Sequence, residues 1–202
     1  MNSLSFVNIF VRGRKAADME RGGHYGTTLL LGGICIVWFG VGWGVLATAI
    51  MLLFTPLPDQ DQYIPESIVR HRGPTHSLTF TVVVAFVTAS TVAYPIHLGQ
   101  WVAVEYGPLA SPVLSSGSVW AFVGGVVAAA LVGHLATDAL TKGGGYRIEP
   151  LWPFSSWTVA LGLCCSDNVA WNAALLASGL TAFAAAIVHE FHYSILPSIP
   201  GV

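Results

Sequence analysis

Apolar residues in this chain come in long blocks rather than in alternation with polar ones. Four blocks stand out, at 27–54, 77–97, 119–140 and 169–188, separated by polar stretches rich in proline and glycine. The last three have the roughly 20 residues that a helix needs to cross a bilayer. The first is too long for one comfortable span and carries Gly40, Gly42 and Gly44 in the run FGVGWG. Glycine weakens a helix interior and permits a tight turn. The first block therefore reads either as one tilted helix or as two shorter helices, about 24–39 and 45–57, folded back on each other at the glycines.

Charge separates these readings. With one helix the basic residues divide evenly, Arg12, Arg14, Lys15 and Arg21 on one side and Arg70, Arg72, Lys142 and Arg147 on the other. With the hairpin, all eight fall on a single side, the bias that the positive-inside rule expects of the cytoplasmic face. The hairpin is favoured, and its short arms suit a re-entrant element buried against other helices. The expected fold class is thus all-α, an integral membrane helical bundle of a short N-terminal helical hairpin plus three transmembrane helices. The expected organisation is a polar cytoplasmic tail at 1–23, a single membrane-embedded domain at 24–193 and a short tail at 194–202. The segment 98–117, with Pro108 and Pro112, reads as a connecting loop on the opposite side.

Composition agrees with a multi-pass protein of the cell membrane, since 54% of residues are apolar, 9% are charged and the mean hydropathy is +0.67. Membrane lipid is the expected partner. A net charge of −2 leaves no basic footprint, which excludes a nucleic-acid partner. Cys35, Cys164 and Cys165 lack metal-ligand spacing and read as unpaired thiols among apolar neighbours.

Within so apolar a chain, ionisable residues at the block edges mark a functional site by default. Imidazoles and carboxylates are also the groups that hold a divalent metal. Asp59 and Asp61, two apart in PDQD, can point two carboxylates at one cation. In His71-Arg72-Gly73-Pro74-Thr75-His76-Ser77 the Gly-Pro pair signals a turn into a helix. That places Thr75–Ser77 in a first helical turn whose N–H groups favour anions. Arg72 offers a bidentate grip on phosphoryl oxygens. His134 and Asp138 are four apart, on one helical face. The hairpin returns His24 to the same mouth. Each element also has a plainer reading: solvated carboxylates, an interfacial histidine pair, a buried His–Asp hydrogen bond, an interfacial His24. His97, His189, Glu190 and His192 fall on the other side and are left out. The three glycines after Lys142 do not match a P-loop, and Trp152, Phe154 and Trp157 read as interfacial aromatics on a lid or lipid-facing rim.

Taken in order, His24, LPDQD at 57–61, HRGPTHSL at 71–78, GHLATDALTKGG at 133–144, LWPFSS at 151–156 and Asn172 resemble the YdjM-like family. Its members are LexA-regulated inner-membrane proteins described as metal-dependent hydrolases. The likeness covers most of 24–175 and implies a small helical membrane protein with a metal site and hydrolase activity. Such proteins usually read PDxDH, and this chain has Gln62 in the histidine's place.

The expected function is a membrane-bound hydrolase acting on a phosphoester or lipid-like substrate at the cytoplasmic face. Its cofactor would be a divalent metal ion, Zn, Mn or Fe. His24, His71, His76, His134 and Asp138 are the expected metal ligands, and Asp59, Asp61 and Arg72 the expected catalytic groups. A scaffold or regulator with a structural metal, and a metal or proton transporter, are the alternatives.

Overall fold

The computed structural model describes residues 3–65, 67–70, 72–106, 115–141 and 147–195, with side chains described for all of these except 3–20, 100–106 and 194–195. Four long helices carry the fold: α1 (Ser3–Phe54), α2 (Leu78–Tyr106), α3 (Ser116–Ala139) and α4 (Val169–Glu190). Two short 3-10 helices, Pro58–Tyr63 and Pro74–His76, lie between α1 and α2. Among the described residues, four helices are long and apolar enough to cross a membrane.

α1 is a hairpin. Gly40 has φ 76° and ψ 169°, a backbone region that is essentially reserved for glycine. The chain reverses there, and small residues let the arms close. A Cβ added at Gly44 would lie 2.4 Å from the Ile36 Cα, and one at Gly32 2.4 Å from the Thr48 hydroxyl oxygen. Nearer the open end, the Thr28 and Thr55 hydroxyls are 2.6 Å apart. The reversal falls at the first glycine of FGVGWG, so the second arm, 41–54, starts earlier than expected. Gly40→Ala is expected to cost about 1–3 kcal/mol through backbone strain alone, because no neighbour lies within 4 Å of its Cβ position. Gly42→Ala, equally unobstructed and without a positive φ, should be near neutral. Thermal unfolding in detergent compares the two.

The first arm of α1 runs parallel to α4. Gly23 N–H donates to Asn172 Oδ1 at 3.1 Å, and Cβ atoms on Gly26 or Gly179 would collide with the facing backbone at 2.4 and 2.2 Å. Bilayer helices lack a hydrophobic drive toward one another, so close backbone approach and interhelical hydrogen bonds take its place. α3 runs antiparallel to the first arm, with Thr137 donating to the Thr27 hydroxyl at 2.8 Å. It also joins two small apolar cores, one with α2 (Ala85, Ala89, Val123, Val127, Leu131) and one with the second arm (Ala47, Met51, Val126, Ala130). Trp38, Leu53, Val82, Phe86, Leu180 and Val188 stay exposed, as a lipid-facing surface requires.

With the chain reversing at Gly40 and between successive helices, the start of the first arm and the loops 55–77 and 140–168 meet at one end. Arg21, Arg70, Arg72 and Arg147 all belong to that end. α1 is helical from Ser3, within the segment expected as a polar tail. The expected loop at 98–117 is corrected in part: α2 continues through Pro95 to Tyr106, and α3 starts at Ser116, capped by the Ser115 side chain accepting from Ser118 N–H. Residues 100–106 are good or fair helix formers, and the prolines that suggested a loop fall at 108 and 112, outside the described residues. The cysteines form no disulfide, and Cys165 is exposed rather than packed among apolar neighbours.

Candidate metal centre

Four side chains from three segments meet below the hairpin's open end. Asp59 comes from the first 3-10 turn, His76 from the second, and His134 and Asp138 from successive turns of α3. The placement follows from local rules. Pro58 opens the first turn and Pro74 the second, where a missing N–H costs nothing. The helix expected to start at Pro74 begins instead at Leu78. Ser77 is extended, its hydroxyl accepts from Phe80 N–H at 3.1 Å, and Leu78 N–H donates to the Pro150 carbonyl at 2.9 Å. His76 therefore precedes the α2 N-terminus instead of lying in its first turn.

The ligand-type atoms converge. His76 Nε2 lies 3.2 Å from Asp138 Oδ2, 3.3 Å from His134 Nε2 and 3.5 Å from Asp59 Oδ1. His134 Nε2 lies 3.4 Å from Asp138 Oδ2 and 3.6 Å from Asp59 Oδ1. All four atoms fall within 4.8 Å of one another. A tetrahedral ion with bonds of about 2.0–2.2 Å holds its ligand atoms about 3.3–3.6 Å apart, so the spacing fits a cation at the centre. Asp138 Oδ2 is buried and has no hydrogen-bond partner, although two imidazole nitrogens are close. A buried carboxylate oxygen without a hydrogen-bond partner, beside imidazole nitrogens, fits a group able to hold a cation.

The surrounding groups aim the ligands. His134 Nδ1 is 2.8 Å from the Thr55 carbonyl, which can only accept, so Nδ1 carries the proton and Nε2 turns its lone pair inward. His76 Nδ1 lies 3.1 Å from the Thr75 hydroxyl and 3.4 Å from Asp61 Oδ2, while Thr75 donates to that same oxygen at 2.6 Å. These contacts orient the His76 ring in the way that outer partners orient metal-bound histidines. Arg72 closes the back. Its backbone, at φ 59°, donates to Asp61 Oδ2 at 3.2 Å, and its guanidinium donates to Asp138 Oδ1 at 2.7 Å and Thr141 Oγ1 at 3.1 Å. His24 stacks on His134 with ring centroids 3.8 Å apart and planes 7° from parallel. Its Nε2 is 3.6 Å from Asp138 Oδ1.

Of the eight residues expected at the site, seven come together: Asp59, His76, His134 and Asp138 at its centre, and Asp61, Arg72 and His24 around them. His71 lies outside the described residues. Asp61 and Arg72 contact the central side chains His76 and Asp138 instead of facing an open cavity. Thr55 and Thr75 were missed; the first contributes a backbone carbonyl, which leaves no trace in residue type. Lys142–Tyr146 also lies outside the described residues.

Three carboxylates and one guanidinium share this small volume, an excess of two negative charges that a divalent cation balances. Burial opposes a charged His76, but the carboxylates of Asp138, Asp59 and Asp61 outweigh it and push the imidazole up to about 10. A metal must displace that proton to bind Nε2. Affinity should therefore fall as pH drops, by up to about tenfold per unit across the neutral range, and metal titrations at several pH values measure it. A pH-independent affinity would contradict this. Asp61→Ala should weaken metal binding by about 10–100-fold without abolishing it, as read by chelator competition.

Residues 19–198 match the model of a family described as YdjM inner membrane protein. No curated protein and no solved structure matches the chain.

Proposed function

We propose, from the premise that this chain belongs to the YdjM inner membrane protein family, that it is a membrane-bound, metal-dependent hydrolase with its site at the cytoplasmic face. The observation that carries the reading is the set of four inward-turned ligand atoms, three on nearly inaccessible side chains and one, on Asp59, with a side chain 13% exposed. His76, His134 and Asp138 would hold the ion. Asp59, the most exposed of the four, would complete the ligand set, and it is a carboxylate at hand to accept a proton. A divalent cation bound there supplies Lewis-acid polarisation of a phosphoryl oxygen and acidifies a water. Arg72 acts through Asp138, keeping Oδ1 occupied so that Oδ2 faces the centre. His24 fixes the plane of the His134 ring. The basic residues of this end support its cytoplasmic placement. A phosphoester of lipid-like character is the substrate class, a reading supported by the position of the four side chains at the ends of the apolar helices.

One observation favours a second reading. Four protein ligands in a closed setting also describe a structural metal site, in which the ion would tie the loop 55–77 to α3. The test is phosphate release from a lipid phosphomonoester by metal-loaded protein in detergent. The hydrolase reading expects turnover that a chelator stops and that Asp59→Asn loses. Metal-loaded protein inert across a panel of phosphoesters would leave the structural role.

A further inference from the structure

The segment 147–163 is a strap fastened to the ends of two apolar helices. Leu78, where the apolar span of α2 begins, donates its N–H to the Pro150 carbonyl at 2.9 Å, and the Thr79 hydroxyl donates to the Trp152 carbonyl at 2.7 Å. Ala139, where the span of α3 ends, accepts from Leu161 N–H at 2.6 Å, and the Leu140 carbonyl accepts from Leu163 N–H at 2.9 Å. A strap tied to the last residues of two spans lies at the level where hydrocarbon gives way to headgroups. Its exposed side chains are nevertheless apolar. Leu151, Trp152, Phe154, Trp157, Leu161 and Leu163 all face outward, Phe154 with 87% of its surface free. The charged residues of the strap are Arg147 and Glu149, and Glu149 pairs with Arg70. Large exposed apolar side chains grouped outside the spanning helices mark an interaction surface.

We infer that this strap is a bilayer anchor, resting on the leaflet at the metal-centre end with Trp152, Phe154 and Trp157 lodged among the lipid headgroups. Three observations select lipid as the partner. The exposed surface of α2 is continuous with the strap: Leu78, Val82 and Phe86 are four apart on one face, all exposed, and Leu78 is the residue bonded to Pro150. Tryptophan, with an apolar ring and one polar edge, suits the boundary between chains and headgroups. Arg147, exposed at the start of the strap, is a cation of the kind that lipid phosphates attract. The strap bonds to Leu78, two residues after His76, and to Ala139, the neighbour of Asp138. The leaflet that holds the strap therefore also sets the depth of these two side chains. The assignment needs the helices to span the membrane and does not need the metal.

The test places a nitroxide on full-length protein in nanodiscs of phosphatidylcholine and phosphatidylglycerol. Phe154→Cys and Trp157→Cys are labelled in a background of Cys35→Ala, Cys164→Ala and Cys165→Ala, and collisions with oxygen, which enters lipid, are compared with collisions with a water-soluble nickel chelate. Val87→Cys, on an exposed residue midway along the α2 span, is the hydrocarbon reference, and the same nitroxide on dissolved glutathione is the water reference. Both strap labels are expected to shift from the water reference toward Val87, with oxygen favoured over the chelate. A second measurement keeps the native cysteines. The emission lost in Trp157→Phe should be a component that phosphatidylcholine brominated near the headgroup quenches. Strap labels that read like dissolved glutathione, or a Trp157 component that brominated lipid leaves unquenched, place the strap in water and overturn the anchor. Labels shielded from both oxygen and chelate mean that a second copy or another protein covers the strap, and also overturn it. A Val87 label that reads as water overturns the membrane placement of α2 together with the anchor.

Discussion

Asp138→Ala is expected to strip the protein of its metal and to destabilise it in the same step. The two oxygens of Asp138 have different tasks. Oδ2 is one corner of the four-atom ligand set, and Oδ1 accepts from Arg72 at 2.7 Å, with the two side chains 2% and 5% exposed. Alanine therefore removes one corner of the four-atom set and the carboxylate that accepts from the buried Arg72 guanidinium. Breaking a buried pair from one side costs about 3–5 kcal/mol, which adds to the loss of any stability contributed by the ion. Asp138→Asn should separate the effects, because the amide oxygen can still accept from Arg72 while the ligand charge is gone. It should lose most of the metal and keep more of the stability. Elemental analysis and thermal unfolding in detergent read both quantities. An alanine variant with metal content and unfolding temperature unchanged would remove Asp138 from the centre.

Gly179→Ala is expected to be the most damaging single methyl group in the molecule. The new Cβ would stand 2.2 Å from the Gly26 carbonyl oxygen, and backbone cannot rotate out of the way as a side chain can. Overpacking costs roughly 1–3 kcal/mol, and more where nothing yields. The first arm and α4 would have to separate, disturbing the Gly23–Asn172 hydrogen bond one turn before Gly26 and the His24 ring that packs on His134. Lower metal retention should therefore accompany the lower unfolding temperature. Gly125→Ala, at a glycine with open space around it, is the control. Equal stability of the two variants would mean that the close contact between the first arm and α4 is not made.

The hairpin and the end of the bundle that carries the site were legible before any coordinates. The hairpin could be read because eight basic residues take one side only if the chain reverses near Gly40, and the gathering of the site residues follows from that reversal. The division of labour among those residues was not legible. Asp59 and Asp61 are two apart and chemically identical, yet one turns to the centre and the other to Thr75, His76 and the Arg72 backbone. A six-residue 3-10 segment sets that difference, and no periodicity announces it. Arg72 looked like a group for substrate because sequence cannot say that its positive φ swings the side chain back onto α3. The interface between the first arm and α4 did leave a signal that was not used: Gly22 and Gly26 are four apart, as are Ser178 and Ala182 around Gly179, the small-residue spacing of close membrane helices. The reach of α2 to Tyr106 was hidden by reading the prolines at 108 and 112 as the edge of a loop that begins later.

The central claim is that His76, His134, Asp138 and Asp59 surround a metal ion, and it is tested most directly by elemental analysis of the purified protein in detergent beside the His76→Ala, Asp138→Ala double variant. The account predicts about one equivalent of a divalent transition metal in the wild type, absent from the double variant. Folded wild-type protein without stoichiometric metal, even after incubation with zinc, manganese or iron, would contradict it.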